Sequence, residues 1–224
     1  MKYIARIRTD FKEKFGIPRQ SGLVKEAKGR IIFEKKYRDI NALRGLEEFS
    51  HIWVIWEFSK AKRDKWSPTV RPPLLGGNTR MGVFATRSPF RPNPIGLSLL
   101  KLDGIKADKE DGVVLCVSGV DILDNTPIFD IKPYLPYADS VTDAKAGFTE
   151  KLKERDIEVN IDKDLLNEIR EDKREEIINI LRKDPRPSYQ EDGQKTYNMV
   201  YGEYELEFEV KDNRLSVLNI KKQS

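Results

Sequence analysis

Ile52-Trp53-Val54-Ile55-Trp56-Glu57-Phe58 (residues 52–58) is a run of large apolar residues broken only by Glu57. β-Branched and aromatic residues in short runs favour strands. Similar runs, separated by glycine, proline or aspartate, occupy residues 3–7, 30–34, 82–86, 97–105 and 113–122. Because long helical periodicity is missing from this part of the chain, the pattern predicts a β-barrel or a β-sandwich.

The pattern changes after a polar stretch that begins near residue 138 and is interpreted as a linker. Two helices are expected beyond it, the first capped by Asp162 and the second by Asp172, with a stop at Asp184-Pro185-Arg186-Pro187. Alternating Tyr204, Leu206, Phe208 and Val210 then predict a strand, and residues 211–214 a turn into the next one. We therefore predict a mainly β protein, with a β domain over residues 1–141 and a small α+β domain over residues 142–224.

Composition narrows the class of protein. Hydrophobic residues make up 38% of the 224 residues, which is enough for a core, and the single cysteine excludes an intrachain disulfide framework. Cys116 lies in an apolar run and is expected to be a buried thiol. The first residues lack an apolar signal region, and no stretch approaches the roughly 18 apolar residues of a membrane span. A cytoplasmic protein that does not enter a membrane is expected.

Positive charge is concentrated in one part of the chain, although the formal net charge is only +4. Residues 63–91 contain a single acid, Asp64, against six basic residues: Arg63, Lys65, Arg71, Arg80, Arg87 and Arg91. A local excess of this kind attracts phosphate groups even when the whole molecule is nearly neutral.

Several kinds of site are disfavoured by what the sequence lacks. It has no glycine-rich nucleotide loop, and one histidine with one cysteine nearly excludes a His/Cys zinc site. We therefore expect no metal. His51, at the start of an apolar strand, is interpreted mainly as a strand-end residue, and a role in a site stays open.

The densest motif is a proline-rich loop between two predicted strands. Pro89, Pro92 and Pro94 cannot lie in a helix or a central strand, so they give a stiff loop that costs little entropy to hold in a binding geometry. Arg87 and Arg91 project from it and suit phosphate, carboxylate or ribose recognition. The alternative is a structural crossover with solvated arginines.

Two further loops carry polar groups. Residues 121–134 contain a turn, Asp124-Asn125-Thr126-Pro127, flanked by carboxylates, and its backbone amides could read a purine edge. Taken alone, an acidic turn after a strand is nonspecific. Residues 15–22 form a loop with one arginine and one glutamine, which alone indicates little.

Together these segments resemble the tRNA N6-threonylcarbamoyladenosine methyltransferases, a TsaA-like β-barrel family. The resemblance is carried, in order and spacing, by residues 15–22, 44–53, 71–73, 85–98, 124–136 and 184–189. Its most specific part is Thr86-Arg87-Ser88-Pro89-Phe90-Arg91-Pro92-Asn93-Pro94-Ile95-Gly96. It implies a barrel that binds S-adenosylmethionine, forms homodimers with the cofactor near the subunit interface, and methylates N6 of the modified adenosine 3′ to the anticodon of tRNA.

The same resemblance implies the cofactor contacts. They fall on Pro18, Arg19, Gln20, Ser59, Lys60, Arg87, Leu97, Asn125, Thr126, Pro127 and Ile128. Two positions depart from the family pattern. Ser59-Lys60 stands where family members have His-Gln, which leaves a backbone contact there, and Asn125 stands where they commonly have glycine. Asparagine is the best substitute for glycine at positive φ.

Methyl transfer from a sulfonium has an activated donor, so the protein mainly positions the reactants. The acceptor N6 is a poor nucleophile while protonated, and a carboxylate or phenolate can remove its proton. The candidates for that role are Asp124, Asp130 and Tyr134. The candidates for contacts with tRNA phosphates are Arg71, Arg80, Arg91 and Arg186. A non-catalytic RNA-binding barrel and a small-molecule-binding barrel remain open as alternatives.

Overall fold

The computed structural model describes residues 1–61, 65–75, 78–151, 156–186 and 195–223. Arg63, Asp64 and residues 187–189, which belong to the patterns above, lie outside these ranges. The first part of the chain contains the strands β1 Ala5–Thr9, β2 Lys28–Phe33, β3 His51–Glu57, β4 Thr69–Val70, β5 Met81–Gly82, β6 Ile95–Asp108, β7 Gly112–Ser118 and β8 Thr126–Pro133.

Six of these strands close into a barrel in the order β1-β2-β7-β6-β3-β8. Every neighbouring pair is antiparallel. Closure leaves no unpaired sheet edge, and the predicted mainly β fold with a barrel is confirmed. Strands β4 and β5 form a separate two-stranded ribbon between β3 and β6.

The barrel core follows from alternation along the strands. In β3, Ile52, Val54 and Trp56 are buried, while the residues between them are partly exposed. In β6, the buried positions at the start of the strand are Gly96 and Ser98, followed by leucines. Each large apolar side chain fully buried in this way contributes about 1.5–3 kcal/mol of transfer free energy.

Some local predictions were wrong. Residues 82–86 do not form a strand: Val83–Ala85 is a 3₁₀ turn, in which Val83 is buried and Phe84 is exposed. The turn at residues 124–127 leads directly into the unpredicted strand β8, whose single carboxylate, Asp130, has a half-exposed side chain. Cys116 is half-buried because it occupies an outward position of β7.

The C-terminal part contains β9 Glu158–Asn160, α2 Lys163–Asn167, α3 Glu171–Arg182, β10 Thr196–Tyr201, β11 Tyr204–Lys211 and β12 Arg214–Lys222, after a short helix α1 Pro136–Asp139. Its sheet has the order β10-β11-β12-β9, with β9 parallel to β12. The predicted turn is confirmed, with positive φ at Asp212 and Asn213, as a two-residue hairpin requires.

The predicted helix starts are only partly right. Asp162 precedes α2 but its side chain makes no capping hydrogen bond. Asp172 is not the cap of α3, because the helix already begins at Glu171 and Arg170 is the capping residue. The backbone N–H of Arg170 instead donates to the hydroxyl of Tyr204 at 3.1 Å, which fixes the start of the helix on the sheet.

Two apolar clusters form the core of the protein. One fills the barrel, and the other lies between α3 and the C-terminal sheet. Phe11, Val24 and Ala27, from the connection between β1 and β2, belong to the second cluster. This connection therefore joins the barrel to the C-terminal part. None of the helices in the described ranges is long and apolar enough to cross a membrane.

Candidate functional site

An open cavity of about 570 Å³ lies where β3 ends and β6 begins. This volume falls in the usual range for small-molecule sites. Four stretches of the chain supply its described lining: Lys14 with residues 17–20, Trp53 with 56–61, Thr86 and Arg87 with 89–91 and 95–97, and Asp121 with Leu123 and Thr126. The barrel thus gathers loops that are far apart in sequence.

Glycine at position 96 shapes one wall of the cavity. Gly96 and Trp56 are register partners on neighbouring strands, and a Cβ on Gly96 would lie 2.2 Å from Cε2 of the indole. Only glycine therefore allows the indole to lie flat against β6. The ring of Phe58 packs on Trp56 at a centroid distance of 4.2 Å and continues this aromatic wall.

A buried polar chain runs from the barrel core to the cavity. The indole Nε1 of Trp56 donates to Ser98 Oγ at 2.9 Å, and Ser98 Oγ donates to Asp121 Oδ1 at 2.6 Å. Burial raises the pKa of Asp121 to about 6, although the hydrogen bond from Ser98, backbone hydrogen bonding and the charge of Arg87 oppose the rise. A carboxylate with this pKa can exchange a proton near neutral pH.

Two arginines approach the cavity from separate loops. Arg87 Nη1 donates to Oε1 of Gln20, which joins the proline-rich loop to the connection after β1. Arg19 Nη2 donates to the backbone carbonyl of Arg186 at 3.3 Å, so this side of the cavity also contacts the C-terminal part. The predicted residues Pro18, Arg19, Gln20 and Arg87 are brought together here.

Internal hydrogen bonds hold the proline-rich loop. Arg91 Nη1 donates to the carbonyls of Val83 at 3.0 Å and Thr86 at 2.7 Å. The backbone N–H of Phe58 donates to the carbonyl of Pro94 at 2.8 Å, which fixes the loop to the end of β3. Arg91 therefore contributes to the rigidity of the loop as well as to the lining of the cavity.

One predicted cofactor contact from the turn at residues 124–127 lines the cavity. Thr126 is part of the lining, and its hydroxyl donates to the carbonyl of Leu123 at 2.6 Å. Asn125 has φ 61, as expected for a substitute of glycine, and its N–H donates to the carbonyl of Ile7. Pro127 and Ile128 are buried in β8 and are not among the described lining residues.

The remaining predicted cofactor contacts, Ser59, Lys60 and Leu97, all line the cavity. Ser59 and Lys60 lie in a 3₁₀ turn directly after β3. The backbone carbonyl of Lys60 accepts a hydrogen bond of 3.0 Å from Lys14 Nζ. Leu97 is 55% exposed and faces away from the barrel core toward the cavity.

The three catalytic candidates from the sequence lie elsewhere and are not among the described lining residues. Asp124 accepts hydrogen bonds from Lys12 Nζ and the backbone N–H of Thr9. Asp130 is half-exposed beside Lys132. Tyr134 packs edge-on against Trp53 at 6.0 Å.

Glu57 and Asp121 are the two carboxylates among the described lining residues, and neither was chosen from the sequence as a catalytic or cofactor-binding candidate. A signal was present in each case. Glu57 is the acid that interrupts the apolar run of β3, and Asp121 is the acid within the apolar run of residues 113–122, three residues after β7 ends. Carboxylates next to buried strands are unusual unless they are paired or functional.

The predicted phosphate-binding arginines differ in exposure. Arg71 and Arg80 are exposed on the ribbon of β4 and β5, where Arg80 Nη1 donates to Thr69 Oγ1. Arg186 is only 8% exposed, and its guanidinium donates two hydrogen bonds of 2.9 Å to Asp184. Because Asp184 already pairs with its guanidinium, Arg186 offers less of its side chain to a tRNA phosphate than Arg71 and Arg80 do.

The fold and this cavity define a β-barrel protein with a small-molecule site that has aromatic walls, two carboxylates and a basic rim. Comparisons with known proteins agree with that class. The family described as tRNA-methyltransferase O N-terminal domain matches residues 6–140, and the TrmO C-terminal domain matches residues 154–223. The predicted domain boundary at residue 141 lies between these two matches. The chain belongs to the tRNA-methyltransferase O family.

Relatives resemble the chain over most of its length. The tRNA (adenine(37)-N6)-methyltransferase of Escherichia coli is 44% identical over 217 residues, which cover 93% of this chain and 92% of that protein. A putative S-adenosylmethionine-dependent methyltransferase of Pseudomonas aeruginosa is 42% identical over 84% of this chain and 81% of its own length. A crystal structure of TrmO from Pseudomonas aeruginosa superposes with a TM-score of 0.77 at 33% identity, covering 98% of this chain and 97% of that one.

Proposed function

We propose that this protein transfers the methyl group of S-adenosylmethionine to N6 of N6-threonylcarbamoyladenosine at position 37 of tRNA, on the 3′ side of the anticodon. The observation that carries the proposal is the cavity beside the proline-rich loop, in a chain whose relatives are named for this chemistry. Family membership supports the reaction, and the lining supports the place where it occurs.

The lining fits the cofactor chemically. Aromatic and apolar side chains suit an adenine ring and a methylene chain, while Glu57 and Asp121 offer negative charge to an ammonium or sulfonium group. Arg19, Gln20 and Arg87 would hold the polar ends of the ligand. The sulfonium of the cofactor, when bound, supplies an activated methyl group.

The acceptor nitrogen loses a proton when its new N–C bond forms. We infer that Asp121 accepts this proton, because it lies in the cavity with a pKa close to neutrality. Ser98 holds the carboxylate by donating to Oδ1, which orients the other oxygen independently of the ligand. The three candidates taken from the sequence remain testable alternatives.

tRNA binding would use the exposed cations at the ribbon of β4 and β5. Residues 65–101 contain no acid, and Arg71 and Arg80 are exposed within this stretch. Contacts of such residues with phosphates give affinity and register without reading the sequence. A cytoplasmic location follows from this substrate.

A homodimer is the assembly we propose. Trp56 is buried in the barrel and adds nothing to an exposed apolar surface. Support comes instead from exposed apolar residues on the ribbon and at the cavity: Trp66, Phe84, Phe90, Ile95 and Leu97. Light scattering at micromolar concentration should give twice the chain mass of 26.0 kDa, and a monomer mass would contradict the dimer.

The decisive experiment is mass spectrometry of tRNA nucleosides from cells with and without the protein. Loss of the methylated form of N6-threonylcarbamoyladenosine, and its restoration by the purified protein with S-adenosylmethionine, is expected. Calorimetric titration should show cofactor binding that Arg87→Ala weakens. RNA binding without methyl transfer would instead support a non-catalytic barrel.

A further inference from the structure

One wall of the cavity is formed by a segment whose other side lies on the C-terminal sheet. Residues 11–20 follow β1, and Lys14 with residues 17–20 faces the cavity. Phe15 points the opposite way: its ring stacks on Tyr197 at 6.4 Å and on Phe208 at 6.3 Å, with interplanar angles of 11° and 10°. One side of this short segment therefore lines the cavity, and Phe15 on its other side packs against the second apolar core.

The backbone of this segment is also fixed to β10. Glu13 Oε1 accepts a hydrogen bond of 2.9 Å from the backbone N–H of Val200. Gly16 has φ +89 and lies so close to Met199 that a Cβ would approach its sulfur to 2.5 Å. Met199 is fully buried, so its side chain has little freedom to move away.

Both ends of the segment are held by the same C-terminal part. At the start, Asp10 accepts a hydrogen bond from Lys173 Nζ at 2.5 Å, and its carbonyl accepts one from Gly202 N–H at 2.7 Å. At the far end, Arg19 donates to the carbonyl of Arg186. Residues 10–19 are therefore held at several points by residues beyond 170, while Phe11 and Lys12 also bond to Asp124 and Lys14 bonds to Lys60 on the barrel side.

We propose that the C-terminal sheet sets the position of the cavity wall at residues 17–20, with Glu13 and Gly16 as positioning residues that do not touch the ligand. The cofactor site is then completed by the C-terminal part, although its lining comes from the first 126 residues. This inference rests on the proposed function for the identity of the ligand. It also makes cofactor affinity respond to any partner that moves the C-terminal sheet.

Two pairs of variants test the proposal in the full chain. Glu13→Ala removes the acceptor for Val200, whereas Glu13→Gln keeps an oxygen acceptor. Gly16→Ala combines a positive φ with the approach to Met199, whereas Gly45→Ala has nearly the same φ, +85, with nothing within 4 Å of the added Cβ. Each pair separates the contact with β10 from a general loss of stability.

S-Adenosylmethionine affinity by calorimetry and the amide NMR chemical shifts of Arg19 and Gln20 are the two readouts. Glu13→Ala and Gly16→Ala should raise the Kd about tenfold and shift the Arg19 and Gln20 resonances, while their matched controls stay near the wild type. The resonances are measured without ligand, so they decide the proposal even if the wild-type protein fails to bind the cofactor, a result that would overturn only the proposed function. Unchanged Arg19 and Gln20 resonances in both variants would overturn the positioning role.

Discussion

Ser98 donates a hydrogen bond of 2.6 Å to the carboxylate of Asp121, at the boundary between the barrel core and the cavity. Ser98 is fully buried, and its own acceptor position is filled by the indole N–H of Trp56. The carboxylate therefore has a fixed orientation and a partly buried setting. Substitution of Asp121 is therefore the most direct test of which group accepts the proton from N6.

Replacement Asp121→Asn should abolish most of the methyl transfer. Removal of a general base usually costs about 10²–10⁴-fold in rate. An amide of the same shape keeps the packing but loses the charge that faces the cofactor, so cofactor binding should weaken much less than turnover. The wild-type rate should rise with pH through about 6, where Asp121 ionises beside Arg87 and Ser98, and then level off. Single-turnover rates from pH 5 to 8 measure both effects.

The same assay separates Asp121 from the candidates chosen by sequence. Asp130→Asn changes a half-exposed carboxylate outside the described cavity lining, and we expect near wild-type rates. If Asp130→Asn or Asp124→Asn abolishes transfer while Asp121→Asn does not, the assignment from the structure is wrong.

Asp121→Asn should also stabilise the fold at neutral pH. Burial raises the pKa of Asp121 from 3.8 to about 6, so the folded protein binds a proton more tightly than the unfolded chain. Stability from this group is present below pH about 4 and is lost as the pH rises through about 6. The variant should gain at most about 3 kcal/mol at pH 7.5, and the gain should shrink toward pH 4. Urea unfolding at both pH values measures this gain in stability. An equal gain at pH 4 and pH 7.5 would mean that the raised pKa of Asp121 is not its cause.

Gly96→Ala should damage the barrel and the cavity together. The added Cβ would lie 2.2 Å from the Trp56 indole, so the ring or the strand must move. Overpacking of this kind typically costs about 1–3 kcal/mol, and loss of cofactor affinity should accompany it. Gly82→Ala is the control, because φ is −57° there and nothing lies within 4 Å of the added atom. Thermal unfolding and calorimetry together test this, and equal melting temperatures for the two variants would refute it.

The double variant Arg71→Ala/Arg80→Ala should weaken tRNA binding. It should also reduce the magnitude of the slope of log binding constant against log salt concentration by about 2, because two phosphate contacts are lost. Cofactor affinity should stay unchanged, since neither residue is part of the described cavity lining. The charge-matched control is Lys35→Ala/Lys36→Ala, two exposed lysines outside the basic stretch. An equal loss of salt dependence in the control would show a nonspecific effect of charge.

Glu176 is a buried carboxylate whose removal should be costly. It is 2% exposed and accepts hydrogen bonds from Lys173 at 2.7 Å, from the backbone N–H of Lys28 at 3.0 Å, and from the Tyr201 hydroxyl. Burial and the charge of Glu176 raise the pKa of Tyr201, so this hydroxyl remains a donor. Glu176→Ala should lower the free energy of unfolding by about 3 kcal/mol.

Glu175→Ala is the neighbouring control for that measurement. Glu175 is exposed on the same helix, and its removal should change stability by less than about 0.5 kcal/mol. Denaturant unfolding of both variants gives the comparison, and similar losses would mean that the buried network contributes little.

Much of the fold was readable because strand patterns are local. The apolar run of β-branched and aromatic residues at 52–58 predicted β3, and the alternation at 204–210 predicted β11 and the side chains that it buries. Strand β8 was missed because its first residues carry turn chemistry: Asn125 takes a positive φ and Thr126 bonds back to Leu123. A strand that begins inside a turn motif has no local signal of its own.

The sequence by itself determined the family, the mainly β architecture and the proline-rich loop, because these depend on residue order and on the backbone limits of proline. The choice of carboxylate was decided only by the tertiary structure. Asp121 and Asp124 lie three residues apart, yet barrel closure places one against Ser98 in the cavity and the other against Lys12. Burial and pairing depend on which distant residues the closed barrel and the C-terminal sheet bring to each side chain, and spacing along the chain does not contain that information.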